Sequence, residues 1–170
     1  RKFPWELHVG DNTKLSFSIS SAGSRLCHTG RLEEECGRAV GERLAQYGVA
    51  PGDGTDTDQM IFVRIEKNRV QVSLDASGEL LYRRSHKTHV AEAPLRENIA
   101  AMMLMEAGIS SCGVLMDPMC GSGTFSLEGG AMMLGRVPGA DRNFAFMNWP
   151  CFSAPAFQYE KKQAMAEALQ

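Results

Sequence analysis

The stretch GVLMDPMCGSGTF, residues 113–125, decides which fold the sequence predicts. A short apolar run ends on Asp117 and enters a loop that contains Gly121 and Gly123. Glycines in such a loop let backbone N–H groups come close to a ligand. The run from 113 to 117 is too short for a helix core, so it predicts a buried parallel strand. A strand, a glycine loop and a helix in this order are typical of the opening unit of a doubly wound α/β sheet.

The residues of the loop discriminate among three classes of ligand: a dinucleotide, a nucleoside triphosphate and an amino-acid-bearing nucleoside. A phosphate-binding P-loop needs a lysine after its last glycine, whereas Gly123 is followed by Thr124 and Phe125. A dinucleotide fingerprint would put Ser126 at its third small position and Asp117 beside an anionic pyrophosphate. Two like charges about 4 Å apart cost roughly 4 kcal/mol at an effective dielectric of about 20, which disfavours a dinucleotide.

A ligand that carries an ammonium group and a carboxylate reverses the sign of that interaction. Asp117 would pair with the ammonium group, and the N–H groups of the loop and of the following helix would receive the carboxylate. S-adenosylmethionine is such a ligand. The alternative without any ligand is a tight strand-to-helix turn in which Asp117 is only a capping residue.

Composition and charge are those of an ordinary globular protein. Of the 170 residues, 44% are hydrophobic and 22% are charged, and the net charge of -2 gives no overall attraction to nucleic acid. Contact with nucleic acid must therefore rest on a local patch such as YRRSHKTH, residues 82–89. The absence of a secretory signal and of an apolar run near the roughly 20 residues of a membrane helix predicts a cytoplasmic protein without membrane contact. The five cysteines include no CxxC pair, so neither a disulfide framework nor a zinc site is indicated.

The N-terminal half predicts a mixed region of strands and one helix that extends to about residue 80. Apolar and polar residues alternate over 14–20, which predicts a strand. Apolar positions recur every four residues over 31–47, which predicts an amphipathic helix. Residues 61–77 alternate on both sides of a polar turn at 67–69, which predicts a β-hairpin.

The C-terminal half predicts two helices around the glycine loop. The first begins at Pro94 and ends near Gly108. Its apolar face is expected to consist of Leu95, Ile99, Met102, Met103 and Ala107. The second covers residues 124–134, and close packing against a sheet would explain why it contains Gly129 and Gly130.

At these motifs the chain resembles the class I S-adenosylmethionine-dependent methyltransferases, and more fully the RNA methyltransferases that carry a THUMP domain before the catalytic domain. The matching pieces are SRLCHTG, the hairpin, LLYRRSHKTHVAEAPLRENIAAMML, DPMCGSGTF and VPGADRNFAFMNWPCF. Within that family the chain looks most like the bacterial enzymes that methylate guanine N2 in large-subunit ribosomal RNA. The resemblance implies a partial THUMP-like RNA-binding domain over 1–80, a basic connection over 81–93, and the N-terminal part of a Rossmann-like methyltransferase domain over 94–170.

The resemblance also implies which residues form the sites. Those expected to line the S-adenosylmethionine pocket are Asp117, Met119, Cys120, Gly121, Ser122, Gly123, Thr124, Ala93, Pro94 and Leu95. Cys120 is expected to pack there rather than to act as a nucleophile. Those expected to contact RNA are Arg25, His28, Thr29, Arg83, Arg84 and Lys87. The simpler alternative for Arg83, Arg84 and Lys87 is a solvated connection without a ligand. The simpler alternative for His28 is a turn residue that forms a hydrogen bond within the protein.

Two elements of a complete family member do not occur in the sequence. One is the acidic residue that ends the second catalytic strand and holds the ribose hydroxyls; the other is the Asn or Asp followed by Pro-Pro and an aromatic residue that serves exocyclic amines. The stretch NWPC at 148–151 has the wrong order, and Phe144, Phe146 and Trp149 are expected to be packing residues. We therefore expect a fragment that does not catalyse by itself. An adenine-N6 DNA methyltransferase and a non-catalytic RNA-binding module with a relic cofactor loop stay open as alternatives.

Overall fold

The computed structural model describes residues 3–52, 57–84 and 95–168. The chain divides into two compact units. The first consists of Arg1–Gly78 with Asn143–Ser153, and the second of Glu79–Arg142 with Ala154–Gln170. No helix within the described ranges is long and apolar enough to cross a membrane.

The first unit contains a three-stranded sheet in which β2 (Asp58–Glu66) is the central strand. β1 (Lys14–Ala22) runs parallel to β2, and β3 (Arg69–Leu74) runs antiparallel to it. Lys67 and Asn68 between β2 and β3 have φ angles of 49° and 61°. Two consecutive left-handed residues are what a type I′ turn requires, and this turn matches the twist of a two-residue hairpin. The predicted strand and hairpin are confirmed.

One face of this sheet is covered by α1 (Thr29–Ala45), which confirms the helix predicted over 31–47. Alternate residues of β2 point into the core beneath the helix, and of the outward residues between them Phe62 and Arg64 are exposed and Met60 is half-buried. The buried apolar residues of this unit are Val9, Val40, Leu44, Ile61, Val63 and Ile65. Cys36 of α1 packs against this core, and burial raises the pKa of its thiol, which keeps it protonated.

The segment Asn143–Ser153 packs within the first unit although it follows the glycine loop in sequence. Its Trp149 indole N–H donates to the side-chain oxygen of the buried Gln59 over 2.6 Å. The backbone N–H of Phe146 donates to the carbonyl of Ala76, and its ring stacks on Phe144 with centroids 5.3 Å apart. These three aromatic residues are therefore packing residues, as predicted.

The described residues of the second unit form three α-helices: α2 (Glu97–Glu106), α3 (Thr124–Met133) and α4 (Ala154–Ala168). The helices predicted before and after the glycine loop are confirmed, but the apolar face predicted for α2 is wrong. Its buried residues are Ala100, Ala101 and Leu104. Of the predicted face, Leu95 is only half-buried and precedes the helix, and the other four residues are exposed: Ile99, Met102, Met103 and Ala107. The small alanines favour close contact between α2 and α3.

The predicted buried strand at residues 113–117 is wrong. The segment is not a strand, and Val114 and Met116 are 80% and 82% exposed. A strand forms only when its N–H and C=O groups pair with a neighbour, and no described residue provides that neighbour. The exposure of the side chains nevertheless alternates along the segment, because Leu115 and Asp117 are half-buried.

Gly129 in the middle of α3 is buried where Leu115 crosses the helix. A Cβ atom at this position would overlap Leu115 Cδ2 and would lie 3.6 Å from both Leu104 Cδ1 and Ile109 Cδ1. Close packing thus explains Gly129, although the neighbours are not a sheet. At Gly130, by contrast, no described atom lies within 4 Å of such a Cβ.

Exchange of the two glycines for alanine is expected to have opposite effects. Gly130→Ala should raise the free energy of unfolding by about 0.5–1 kcal/mol, because alanine is the better helix former and meets no neighbour. Gly129→Ala gains the same helix propensity but must displace Leu115, so it should be less stable than Gly130→Ala by about 1–2 kcal/mol. Urea unfolding followed by circular dichroism measures both. Equal stability of the two variants would contradict the packing of Leu115 on Gly129.

Candidate functional site

The loop before α3 is held open by two glycines in the left-handed region. Gly121 has φ 52° and Gly123 has φ 72°, a conformation that residues with a side chain rarely adopt. The N–H of Gly123 donates to the carbonyl of Cys120 over 2.7 Å, which closes the turn. No described atom lies within 4 Å of a Cβ placed on either glycine. The glycines therefore supply the backbone conformation, and the space beside them is accessible to a ligand.

The N-terminus of α3 follows this loop directly. Gly123 is the N-cap residue, and the first turn receives no capping hydrogen bond from its missing side chain. The N–H of Leu127 donates to the carbonyl of Gly123 as the helix begins. The N–H groups of a first helical turn have no acceptor within the helix and carry its positive dipole end. This end of α3 is therefore suited to an anionic group such as a carboxylate.

Asp117 lies at the other end of the loop. Its Oδ1 accepts a hydrogen bond from the N–H of Met119 over 3.3 Å. Its Oδ2 is buried and has no hydrogen-bond partner among the described residues. A buried carboxylate oxygen without a donor is costly, and a cationic donor from a ligand would remove that cost.

The remaining residues predicted for the pocket differ in exposure. Met119 and Cys120 are exposed on the loop, whereas Thr124 is buried at the start of α3. Ser122 Oγ lies 3.5 Å from Thr124 Oγ1, within reach of a hydrogen bond. Leu95 is half-buried just before α2. The predicted contacts of these side chains with a cofactor stay predictions.

Three of the predicted residues lie outside the described part of the chain: Ala93, Pro94 and Lys87. Ala93 and Pro94 were predicted to border the cofactor pocket, and Lys87 to contact RNA. Their assignments also stay predictions.

The RLCHTG residues predicted to contact RNA are exposed at the connection between β1 and α1. His28 is the N-cap residue of α1, but its side chain makes no capping hydrogen bond. The backbone N–H of Arg25 donates to Asn68 Oδ1 over 2.9 Å, and the N–H of Asn68 donates to Ser24 Oγ over 3.0 Å. These two bonds hold the connection against the turn of the β2–β3 hairpin, with the Arg25 side chain exposed beside it.

The two described arginines of the basic connection have different environments. Arg83 is exposed, as a contact with RNA requires. Arg84 Nη1 lies 2.8 Å from Glu128 Oε2, and the side chains of Arg84 and Glu128 are 20% and 2% exposed. The Arg84 guanidinium thus forms an ion pair with Glu128 of α3. This ion pair leaves Arg84 less available for a contact with RNA.

Glu128 and Arg142 are two important residues that the sequence reasoning missed. Arg142 is buried and donates to the carbonyls of Leu80 over 3.0 Å, Arg83 over 3.1 Å and Glu79. Glu128 lies in the otherwise apolar stretch TFSLEGGAMML, and an acid in such a helix indicates a buried partner. No sequence pattern indicates a buried partner for Arg142, because its hydrogen-bond acceptors are backbone carbonyls.

Comparison with known proteins gives one family and several relatives. Residues 84–170 match the family described as "RMKL-like, methyltransferase domain". The ribosomal RNA large subunit methyltransferase K/L of Cellvibrio japonicus is 34% identical over 156 residues, which are 88% of this chain and 21% of the relative. The protein of the same name from Allochromatium vinosum is 35% identical over 166 residues, which are 92% of this chain and 22% of the relative. The chain therefore spans about a fifth of the length of these relatives.

Solved structures share the fold. The crystal structure of SMU.472 complexed with SAH matches with a TM-score of 0.74 at 23% identity, over 97% of this chain and 44% of that chain. At this identity the likeness concerns the fold alone, and it confirms the mixed α/β class. Because the family match covers residues 84–170 of 170, the chain belongs to the RMKL-like methyltransferase-domain family.

Proposed function

We propose that this chain forms the cofactor-binding part of an S-adenosylmethionine-dependent RNA methyltransferase. The observation that carries the proposal is the Asp117 carboxylate, whose buried Oδ2 has no hydrogen-bond donor among the described residues. It lies at the start of a glycine loop that leads into the N-terminus of α3. A negative group and a cluster of N–H donors therefore stand at the two ends of one short loop.

S-adenosylmethionine matches this pattern of charge at its amino-acid end. The Asp117 carboxylate pairs with the ammonium group, and the N–H groups of the loop and of α3 receive the carboxylate. The other residues of this proposed pocket are Met119, Cys120, Gly121, Ser122, Gly123, Thr124, Ala93, Pro94 and Leu95. When bound there, S-adenosylmethionine supplies an electrophilic methyl group. A pyrophosphate fits less well, because Asp117 would repel it.

The proposed substrate is RNA, with guanine N2 of large-subunit ribosomal RNA as the methyl acceptor. The names of the relatives from C. japonicus and A. vinosum support a ribosomal RNA substrate. The first unit would then serve as the THUMP-like RNA-binding part, with Arg25, His28 and Thr29 as contacts. From the basic connection, Arg83 and Lys87 would add two cations, while Arg84 mainly stabilises α3.

The proposal is tested by calorimetric titration of the complete protein with S-adenosylhomocysteine, which carries the same ammonium and carboxylate groups. Asp117→Asn keeps the shape of the side chain but removes its charge, so it should weaken binding about 10- to 30-fold. Asp141→Asn changes an exposed carboxylate of the same unit and serves as the matched control. It should bind like the wild type.

Three results would count against the proposal. The absence of binding to the wild type would favour an RNA-binding module with a relic loop. Equal affinity of Asp117→Asn and the wild type would remove Asp117 from the site. Tighter binding of NAD than of S-adenosylhomocysteine by the wild type would favour a dinucleotide, because Asp117 would then not repel a pyrophosphate.

A further inference from the structure

The face of the sheet opposite α1 presents an exposed aromatic ring among hydroxyl groups. Cross-strand pairs place Phe62 of β2 between Ser18 of β1 and Ser73 of β3. Paired residues direct their side chains to the same face, so these three form one row across the sheet. Ser18 and Ser73 are exposed, and Phe62 is 45% exposed on the central strand. An aromatic ring at this position is not explained by the core, which lies on the other face.

The next rows on the same face are cationic. Arg64 lies between Ser20 and Gln71, and Arg69 lies opposite Glu66 at the end of the hairpin. A cavity of about 680 Å³ at this end is lined by Arg64, Glu66, Lys67, Arg69, Val70 and Gln71. Three cations therefore surround one acid. Arg64 pairs with Glu66 over 3.0 Å, but both side chains are more than half exposed, and such a pair is weak in water and is readily exchanged for a stronger anion.

This cationic end of the sheet adjoins the connection that contains Arg25. Asn68 in the hairpin turn accepts from the N–H of Arg25 and donates to Ser24. Lys67 in the same turn donates its N–H to the carbonyl of Ala22 at the end of β1. The exposed Arg25 therefore extends the row of cations beyond the hairpin.

We propose that this open face, defined by Phe62, Arg64, Arg69 and Gln71, is a platform for single-stranded RNA. The choice of RNA rests on the proposed function. An exposed ring stacks on an unpaired base, the arginines contact phosphates, and serine hydroxyls and Gln71 bond base edges and 2′-hydroxyls. A paired base in a duplex leaves no face for Phe62, so unpaired segments are the expected ligand. The platform belongs to the first unit, whereas the glycine loop belongs to the second.

The test measures fluorescence anisotropy of a labelled single-stranded RNA oligonucleotide with the complete protein. Phe62→Ala should weaken binding about 5- to 30-fold through the lost stacking, and Phe62→Tyr should restore it. Arg64→Gln combined with Arg69→Gln should reduce the slope of log affinity against log salt by about 0.7 for each lost phosphate contact. Arg38→Gln removes an exposed arginine from α1, on the opposite side of the sheet, and should bind within about twofold of the wild type.

The platform is refuted if the Phe62 and arginine variants bind RNA like the wild type. It is also refuted if a duplex of the same sequence, or the corresponding single-stranded DNA, binds as tightly as the RNA strand. Polyglutamate could also displace the RNA, and both Phe62→Ala and the double arginine variant could lose affinity for polyglutamate to the same extent as for RNA. That result would assign the surface to an acidic protein instead. Titration with S-adenosylhomocysteine on the same samples separates the two proposals. Normal cofactor binding with unchanged RNA affinity overturns the platform alone, whereas absent cofactor binding overturns the proposed function alone.

Discussion

Replacement of Arg84 by alanine is expected to lower the free energy of unfolding of the second unit by about 3–4 kcal/mol, because it leaves the buried carboxylate of Glu128 without its charged partner. The Nη1–Oε2 distance is 2.8 Å, and Glu128 is only 2% exposed. Because α3 buries the Glu128 carboxylate, the stability of α3 depends on the ion pair with Arg84.

The measurement must report on the second unit. Trp5 and Trp149 both belong to the first unit, so their fluorescence is unsuitable. Hydrogen exchange of α3 peptides, followed by mass spectrometry, gives the free energy of opening directly. Arg38→Ala on α1 breaks two exposed ion pairs of the first unit, with Glu35 and Glu42, and should leave the exchange of α3 peptides unchanged.

A double variant separates the cost of removing Arg84 from beside the Glu128 carboxylate from the net contribution of the Arg84–Glu128 ion pair to stability. Arg84→Met combined with Glu128→Leu removes both charges and retains most of the volume. It should be more stable than Arg84→Ala by at least about 2 kcal/mol, because no buried charge is left. If the double variant were as unstable as the single one, the loss would come from packing and not from the carboxylate.

Structure specified by neighbouring residues could be predicted from the sequence. The hairpin follows from alternation on both sides of a turn, and α1 from apolar positions every four residues. Asp117, Gly121 and Gly123 were likewise singled out as one loop, because glycine and aspartate at that spacing report on local backbone conformation.

Structure that depends on distant partners could not be predicted. Residues 113–117 have the composition and alternation of a strand, yet strand formation requires a paired neighbour, which local pattern does not reveal. On α2 the large Met102 and Met103 looked like core residues, but the helix packs through its alanines. In both cases the identity of the packing partner decides the result, and that partner is remote in sequence.

Charged residues with remote partners were missed or given another role. Arg84 was predicted to contact RNA because it lies in a basic run, and only the fold brings it to Glu128, 44 residues later. Arg142 lies about 60 residues from the carbonyls that it binds. Both arginines hold the segment 79–84 in place by contacts with residues that are far away in sequence, and such contacts cannot be predicted from the spacing of residues.

Arg142→Met is expected to lower the free energy of unfolding of the second unit by about 2–3 kcal/mol, because it removes the buried guanidinium that binds the carbonyls of Glu79, Leu80 and Arg83. Methionine retains the aliphatic part of the side chain, so the loss of stability reflects the missing hydrogen bonds more than the missing side-chain volume. Arg142→Lys should lose part of this stability, because one ammonium group cannot reach three carbonyls in a fork. Hydrogen exchange of peptides from 79–84 measures both variants.

The effects of Arg142→Met and Arg84→Ala should not add. Both side chains anchor the same six residues, 79–84, so loss of either contact frees a segment that the other contact then holds less well. A double-mutant cycle should therefore give a coupling of about 1 kcal/mol or more, whereas independent sites add within about 0.5 kcal/mol. Additivity would mean that the two anchors act on separate structures. Coupling would mean that residues 79–84 are held as one unit by Arg142 and by Glu128 of α3, the helix that follows the glycine loop.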